Sequence, residues 1–277
     1  MGVIETATNP WGQTVPIHIY FYLMWAAAIG GLAFLMVHAI YVQFVAAKAA
    51  HSAPISPALE AQYPKKIHRH SLASRLFHWV MSVAMFALLI TAFLPRMGYP
   101  FAWVTYHWIA GLVLTASIIF HIFHATFWMD FWSIWPDKID IEDSKRRWLR
   151  ATGKEAPEPR KFAKYPMENK MYHLMIVLAG LSVTLTGVFM MKRVRTPFFT
   201  RNPYLFSDMT WGMMYVLHGL AGVGLIGLIM AHVYFALRPE KFVITKSMIG
   251  GDLDRDFYLE HYDTERWKVP VVKAAGR

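Results

Sequence analysis

Residues 211–237, WGMMYVLHGLAGVGLIGLIMAHVYFAL, run for 27 positions without Asp, Glu, Lys or Arg. About 20 apolar residues in a helix cross the hydrocarbon core of a bilayer, so this stretch reads as a membrane span. It also carries two imidazoles, His218 and His232, fourteen residues apart. Fourteen residues is about 3.9 helical turns, which returns both side chains to nearly one face, roughly 21 Å apart along the axis.

Four more segments have the length and apolarity to span: 17–46, 74–94, 103–128 and 171–191. The first exceeds what a bilayer requires, which predicts tilt or a helical extension beyond the membrane. Only 17% of the chain is charged and 56% is hydrophobic, against about 25% charged in a soluble domain. Trp103 and Trp211 open two spans and Phe127-Trp128 close one, as expected for rings that favour the water–lipid boundary. The expected fold is all-α, a polytopic membrane bundle of five transmembrane helices. Along the chain it divides into an additional first helix with its connector (1–64), a four-helix bundle (65–238) and a cytoplasmic tail (239–277). Connector 130–170 is charged and contains Pro157, Pro159 and Pro166; one short helix is expected near 143–152.

The basic residues alternate between connectors. With the N-terminus outside, 23 of the 28 Lys and Arg fall on the cytoplasmic side, a strong positive-inside signal. This accounts for the net charge of +10 without nucleic acid. There is no cysteine, which excludes Cys-ligated iron–sulfur clusters, c-type haem attachment and disulfides within the chain. No basic region precedes an apolar core at the N-terminus, so no cleavable signal peptide is expected.

Nine of the 13 histidines lie in or at the ends of the spans: His18, His38, His78, His107, His121, His124, His173, His218 and His232. Ionisable groups are costly in a bilayer and mark function there, and neutral imidazole is a common axial ligand of haem iron. His107 and His121 repeat the fourteen-residue spacing of His218 and His232. Depth then suggests the pairing. His107 and His218 lie near the outer ends of their helices and can clamp one b-type haem. His78 and His232 lie near the inner ends and can clamp a second, with His121 a rival at that depth. Gly111 and Gly222 each stand four residues after a proposed ligand, where a small residue admits a flat macrocycle. Arg75, one turn before His78, is a candidate partner for a haem propionate, and Ser74 a candidate N-cap. His18, His38 and His124 read as packed structural residues, and His51, His68, His70 and His261 as solvated loop residues.

Four motifs, in order, resemble the cytochrome b (gamma) subunit of respiratory formate dehydrogenases and, more widely, nickel–iron hydrogenase cytochrome b subunits. They are Arg75-Leu-Phe-His78-Trp79 followed by Ile90-Thr91-Ala92; His107-x-x-x-Gly111; Glu168-Asn-Lys-Met-Tyr-His173 leading to Leu185-Thr-Gly187; and His218-x13-His232-Val-Tyr234 continuing to Gly251 and Trp267. The resemblance implies that His78 and His232 ligate the cytoplasmic-side haem, and His107 and His218 the periplasmic-side haem. It further implies a quinone site near His232 and the start of the fourth span. Partners would be an iron–sulfur subunit and a molybdenum- or tungsten-containing catalytic subunit. The chain departs from its relatives in the additional first helix. It also departs in Lys164-Tyr-Pro166-Met-Glu168-Asn169-Lys170, where only Asn169 and Lys170 remain as candidate quinone contacts.

The expected role is therefore an electron-transfer subunit in the bacterial inner membrane, joining an iron–sulfur donor to the quinone pool through two bis-His haems, with no independent substrate catalysis. Lys192, Arg193, Arg195 and Arg201 form a candidate docking patch for the donor. A hydrogenase or oxyanion reductase assembly is the nearest alternative. A haem-free proton-relaying transporter, which usually shows broken helices and acidic groups, or a plain membrane anchor are the alternatives of another class.

Overall fold

The computed structural model describes residues 5–44 and 55–271. Five of its helices are long and apolar enough to cross a membrane. A hairpin of β1 (Thr6–Thr8) and β2 (Thr14–Pro16) precedes α1 (Ile19–Phe44). A one-turn α2 (Pro57–Glu60) and β3 (Lys66–His68) lead into α3 (Leu72–Phe93), and α4 (Trp103–Trp128) follows. Next come α5 (Lys138–Ala151), α6 (Met167–Met190) and α7 (Asp208–Leu237). The chain closes with α8 (Phe242–Gly250), β4 (Asp252–Asp254) and α9 (Arg255–His261). Large apolar side chains such as Val37, Val83 and Leu178 stand exposed on the spans, which suits lipid contact, while the backbone polar groups are satisfied within the helices.

Capping chemistry moves two expected helix starts. α3 begins at Leu72, because Ser71 Oγ accepts from the Ser74 backbone N–H at 3.2 Å. Ser71, and not Ser74, is therefore the capping residue. α5 begins five residues earlier than 143 because Asp137 and Asp140 form a reciprocal capping box.

The chain divides into two compact units. Among the described residues, the first contains 5–44, 79–118 and 176–234. Within it α1 lies along α7 in matching order. The Tyr20 ring rests on Gly219, Met230 lies against Gly31, and His38 Nδ1 is 3.1 Å from the Tyr234 hydroxyl. Tyr20, Gly31 and His38 are spaced eleven and seven residues apart, which keeps them on one helical stripe.

Among the described residues, the second unit contains 55–78, 119–175 and 235–271. Its core is Ile67, Leu253, Tyr258, Leu259, Tyr262 and Trp267, carried by the antiparallel pair β3/β4 with Ile67 opposite Leu253. Arg69 is buried among Tyr165, Tyr262 and Trp267, with its guanidinium 5.1–5.5 Å from the three ring centroids. Gly251 ends α8 with φ +97°, and its carbonyl accepts from both Arg69 and His70 N–H at 2.9 Å. A side chain there would be strained by the positive φ and would bring a Cβ within 3.1 Å of the His70 carbonyl. Residues 239–271 pack with the connectors before α3 and around α5, through β3/β4 and through Arg266 on Asp140.

Candidate cofactor site

His107 on α4 and His218 on α7 face each other in the first unit, ring centroids 6.1 Å apart with planes at 65°. Each ring is held by a buried threonine. Thr91 Oγ1 is 2.8 Å from His107 Nδ1, and Thr186 Oγ1 is 2.9 Å from His218 Nδ1. A hydroxyl has one hydrogen to give. Thr91 donates it to the Ala87 carbonyl, and Thr186 to the Ser182 carbonyl. Each threonine oxygen therefore accepts from Nδ1–H of its histidine. Nε2 is left as the atom with the free lone pair, which is the tautomer a metal ligand requires.

The two rings line a cavity of about 690 Å³, within the range of cofactor pockets. Its walls are apolar, with Leu88, Leu114, Val183 and Leu225 among them. Gly111, Gly187, Gly219 and Gly222 also line it. A Cβ on Gly187 would lie 3.2 Å from His218 Cε1, whereas one on Gly222 would meet nothing within 4 Å. Gly187 thus lets the His218 ring fit, and Gly222 opens onto free volume.

These residues fit a b-type haem. A metal sits about 2 Å from a ligating imidazole nitrogen, so two rings across one ion have centroids about 6 Å apart. The observed centroid spacing meets that condition, and the cavity that both rings line is apolar and large enough for a macrocycle. Bound there, haem supplies one-electron redox chemistry. His107 and His218 would hold it, Thr91 and Thr186 would orient their rings, and the apolar walls would enclose the macrocycle.

The remaining site residues are distributed as follows. His78 belongs to the second unit and His232 to the first. His121 is stacked on Phe77, centroids 4.4 Å apart, and its ring is 6.5 Å from that of His173 at 67°. His173 Nδ1 is buried with no hydrogen-bond partner among the described residues. Arg75 donates to the Ile249 carbonyl. Lys170 is buried, its ammonium 2.6 Å from Asp140 and 3.1 Å from the Trp135 carbonyl, so it ties α6 to the α5 region. Asn169 is exposed.

Three other histidines differ from expectation. His70 is largely enclosed, and burial, with Arg69 and Lys164 nearby, pushes its imidazole down to about 3. His68 is on β3, paired with Asp252, and His261 is stacked on Phe257 at the end of α9; neither is a plain loop residue. His51 lies outside the described residues. His38 is a helix-packing residue, as expected. Thr91 and Thr186 fall within the sequence motifs, but nothing in the motifs themselves assigns them a role. The signal available is a threonine in each span that packs on a ligand helix.

A paired-imidazole cavity within apolar spans defines a multi-pass membrane protein of the haem b electron-transfer class. The chain belongs to the prokaryotic cytochrome b561 family, whose pattern covers residues 69–251, about two thirds of its length. A search of curated proteins found no match.

Proposed function

We propose that this protein is the cytochrome b subunit of a respiratory oxidoreductase of the formate dehydrogenase type. It carries electrons between an iron–sulfur partner and the quinone pool in the bacterial inner membrane. The observation that carries the reading is the His107/His218 pair, anchored by Thr91 and Thr186 at the wall of one cavity. In this reading the N-terminus is outside and that cavity holds the haem nearer the donor. A second haem is held by His78 and His232 nearer the cytoplasm, where quinone takes two electrons and two protons. The catalytic partner is a molybdenum- or tungsten-containing subunit, and Lys192, Arg193, Arg195 and Arg201 receive the iron–sulfur chain. Two saturated irons leave no open position for oxygen chemistry.

A second reading of the inner haem has its own support. His121 and His173 reproduce the ring spacing and angle of His107 and His218, 6.5 Å and 67° against 6.1 Å and 65°.

The test is the dithionite-reduced minus oxidised spectrum of the purified protein, with haem quantified per chain. Two b haems are expected, one lost in His107→Ala or His218→Ala and the other in His78→Ala or His232→Ala. Loss of the second in His121→Ala and His173→Ala, with His78→Ala unaffected, selects the second reading. Absence of haem from the wild type sinks both.

A further inference from the structure

The family pattern begins at residue 69, so α1 lies outside it. Yet α1 supplies part of the cavity wall. Tyr20, in its first turn, lines the cavity. The Tyr20 hydroxyl donates to the Val216 carbonyl at 3.3 Å. Its ring lies so close to Gly219 that a Cβ there would come within 2.5 Å of a ring carbon. Gly219 directly follows the ligand His218, and glycine is what allows the ring to reach this position.

Arg96 lines the same cavity. It sits in the short 3₁₀ turn Pro95–Met97 that ends the third helix. Its guanidinium lies 5.9 Å from the centroid of the Tyr20 ring, within cation–π range. No salt bridge among the described residues involves Arg96. Arg96 is exposed to the surface as well as lining the mostly apolar cavity, so its guanidinium, beside an aromatic face, can receive a carboxylate carried by a group that enters there. Its planar fork matches a carboxylate with two parallel hydrogen bonds. The propionates are the charged groups that a b-type haem brings into such a cavity.

We propose that Arg96, positioned by Tyr20 of α1, binds a propionate of the haem held by His107 and His218. The extra helix is then a working part of the cofactor site. This rests on the reading of the cavity as a haem site. A cation beside the haem favours the reduced form, which carries one positive charge fewer. Arg96 therefore raises the reduction potential of that haem.

The experiment is a spectroelectrochemical titration of the purified full-length protein, with the haem of this cavity identified as the one missing from His107→Ala. Arg96→Gln is expected to keep the haem and lower its potential, leaving the potential of any other haem in place. Arg96→Lys retains the charge and stays near the wild type. Tyr20→Ala moves the same haem in the same direction, and Tyr20→Phe, which keeps the ring, does not. An unmoved potential in Arg96→Gln, or an equal shift of every haem, overturns the proposal. Should Arg96→Gln lose the haem, recovery in Arg96→Lys supports the proposal and continued loss overturns it. A wild type without a b-type spectrum removes the haem reading and this inference together. A normal haem with an unmoved potential removes the inference alone.

Discussion

The hydroxyl of Thr186 sits 2.9 Å from Nδ1 of His218 while its own hydrogen is turned back to the Ser182 carbonyl. Thr91 treats His107 in the same way. Valine at either position keeps the shape and removes the hydroxyl that holds the ring, leaving the backbone contacts to Leu88 and Val183. Loss of such an outer partner typically weakens metal binding about 10–100-fold. Thr186→Val and Thr91→Val are expected to release haem faster to an excess of a haem-scavenging protein, and Thr→Ser to hold it. Equal retention in the valine variants would show that the threonines only pack.

Gly222 lines the cavity and has open space where a Cβ would be. A leucine there occupies volume that the macrocycle needs. Gly222→Leu is expected to insert into membranes at the wild-type level and to lose one haem per chain. Gly30 also has open space but does not line the cavity, so Gly30→Leu is the control and should keep full haem content. The pyridine haemochrome content of both variants decides.

Asp140 and Lys170 are a buried pair at 2.6 Å, and Arg266 completes the carboxylate at 2.7 Å. Removing one partner of a buried pair costs about 3–5 kcal/mol. Asp140→Asn should therefore lower the thermal midpoint in detergent markedly, and Asp140→Asn combined with Lys170→Met should recover much of the loss. Burial pushes the Asp140 carboxyl up, but hydrogen bonds from Lys170 and Arg266 outweigh it and hold it below the ordinary 3.8. A carboxyl depressed by folding stabilises above its unfolded value. That contribution is present at neutral pH and is lost as the pH falls below about 4.

His70 titrates over a higher window. Burial first, then Arg69 and Lys164, lower it from 6.5 to about 3. The unfolded chain binds a proton below pH 6.5 that the folded chain refuses, so stability falls as the pH drops from 6.5 toward 3. By pH 5 the loss is about 2 kcal/mol. His70→Gln should flatten the dependence of unfolding on pH between about 7 and 5. A slope that persists in His70→Gln would assign it to other groups.

Much of the architecture is readable in one dimension because the bilayer imposes a local rule. A span must be long and apolar, and the ends of α4 coincide with the predicted 103–128. Imidazole spacing along a helix is equally local, which is why His107 and His218 stand out in the sequence itself. The start of α5 is not legible there, because two aspartates in an acidic, polar connector do not announce a capping box until their geometry is known. The second unit is hidden for a different reason. Its core joins Ile67 to Leu253 and Trp267, residues far apart in the chain, with no periodic pattern in either segment.

The sequence alone determined five spans, the positive-inside charge pattern and the histidines available as ligands, since each follows from composition over a few helical turns. Tertiary structure decided which groups converge. It put Thr91 and Thr186 on the ligand rings, Tyr20 and Arg96 on the cavity wall and Lys170 in an ion pair. These depend on side-chain distances between helices, set by packing across segments that sequence spacing does not relate.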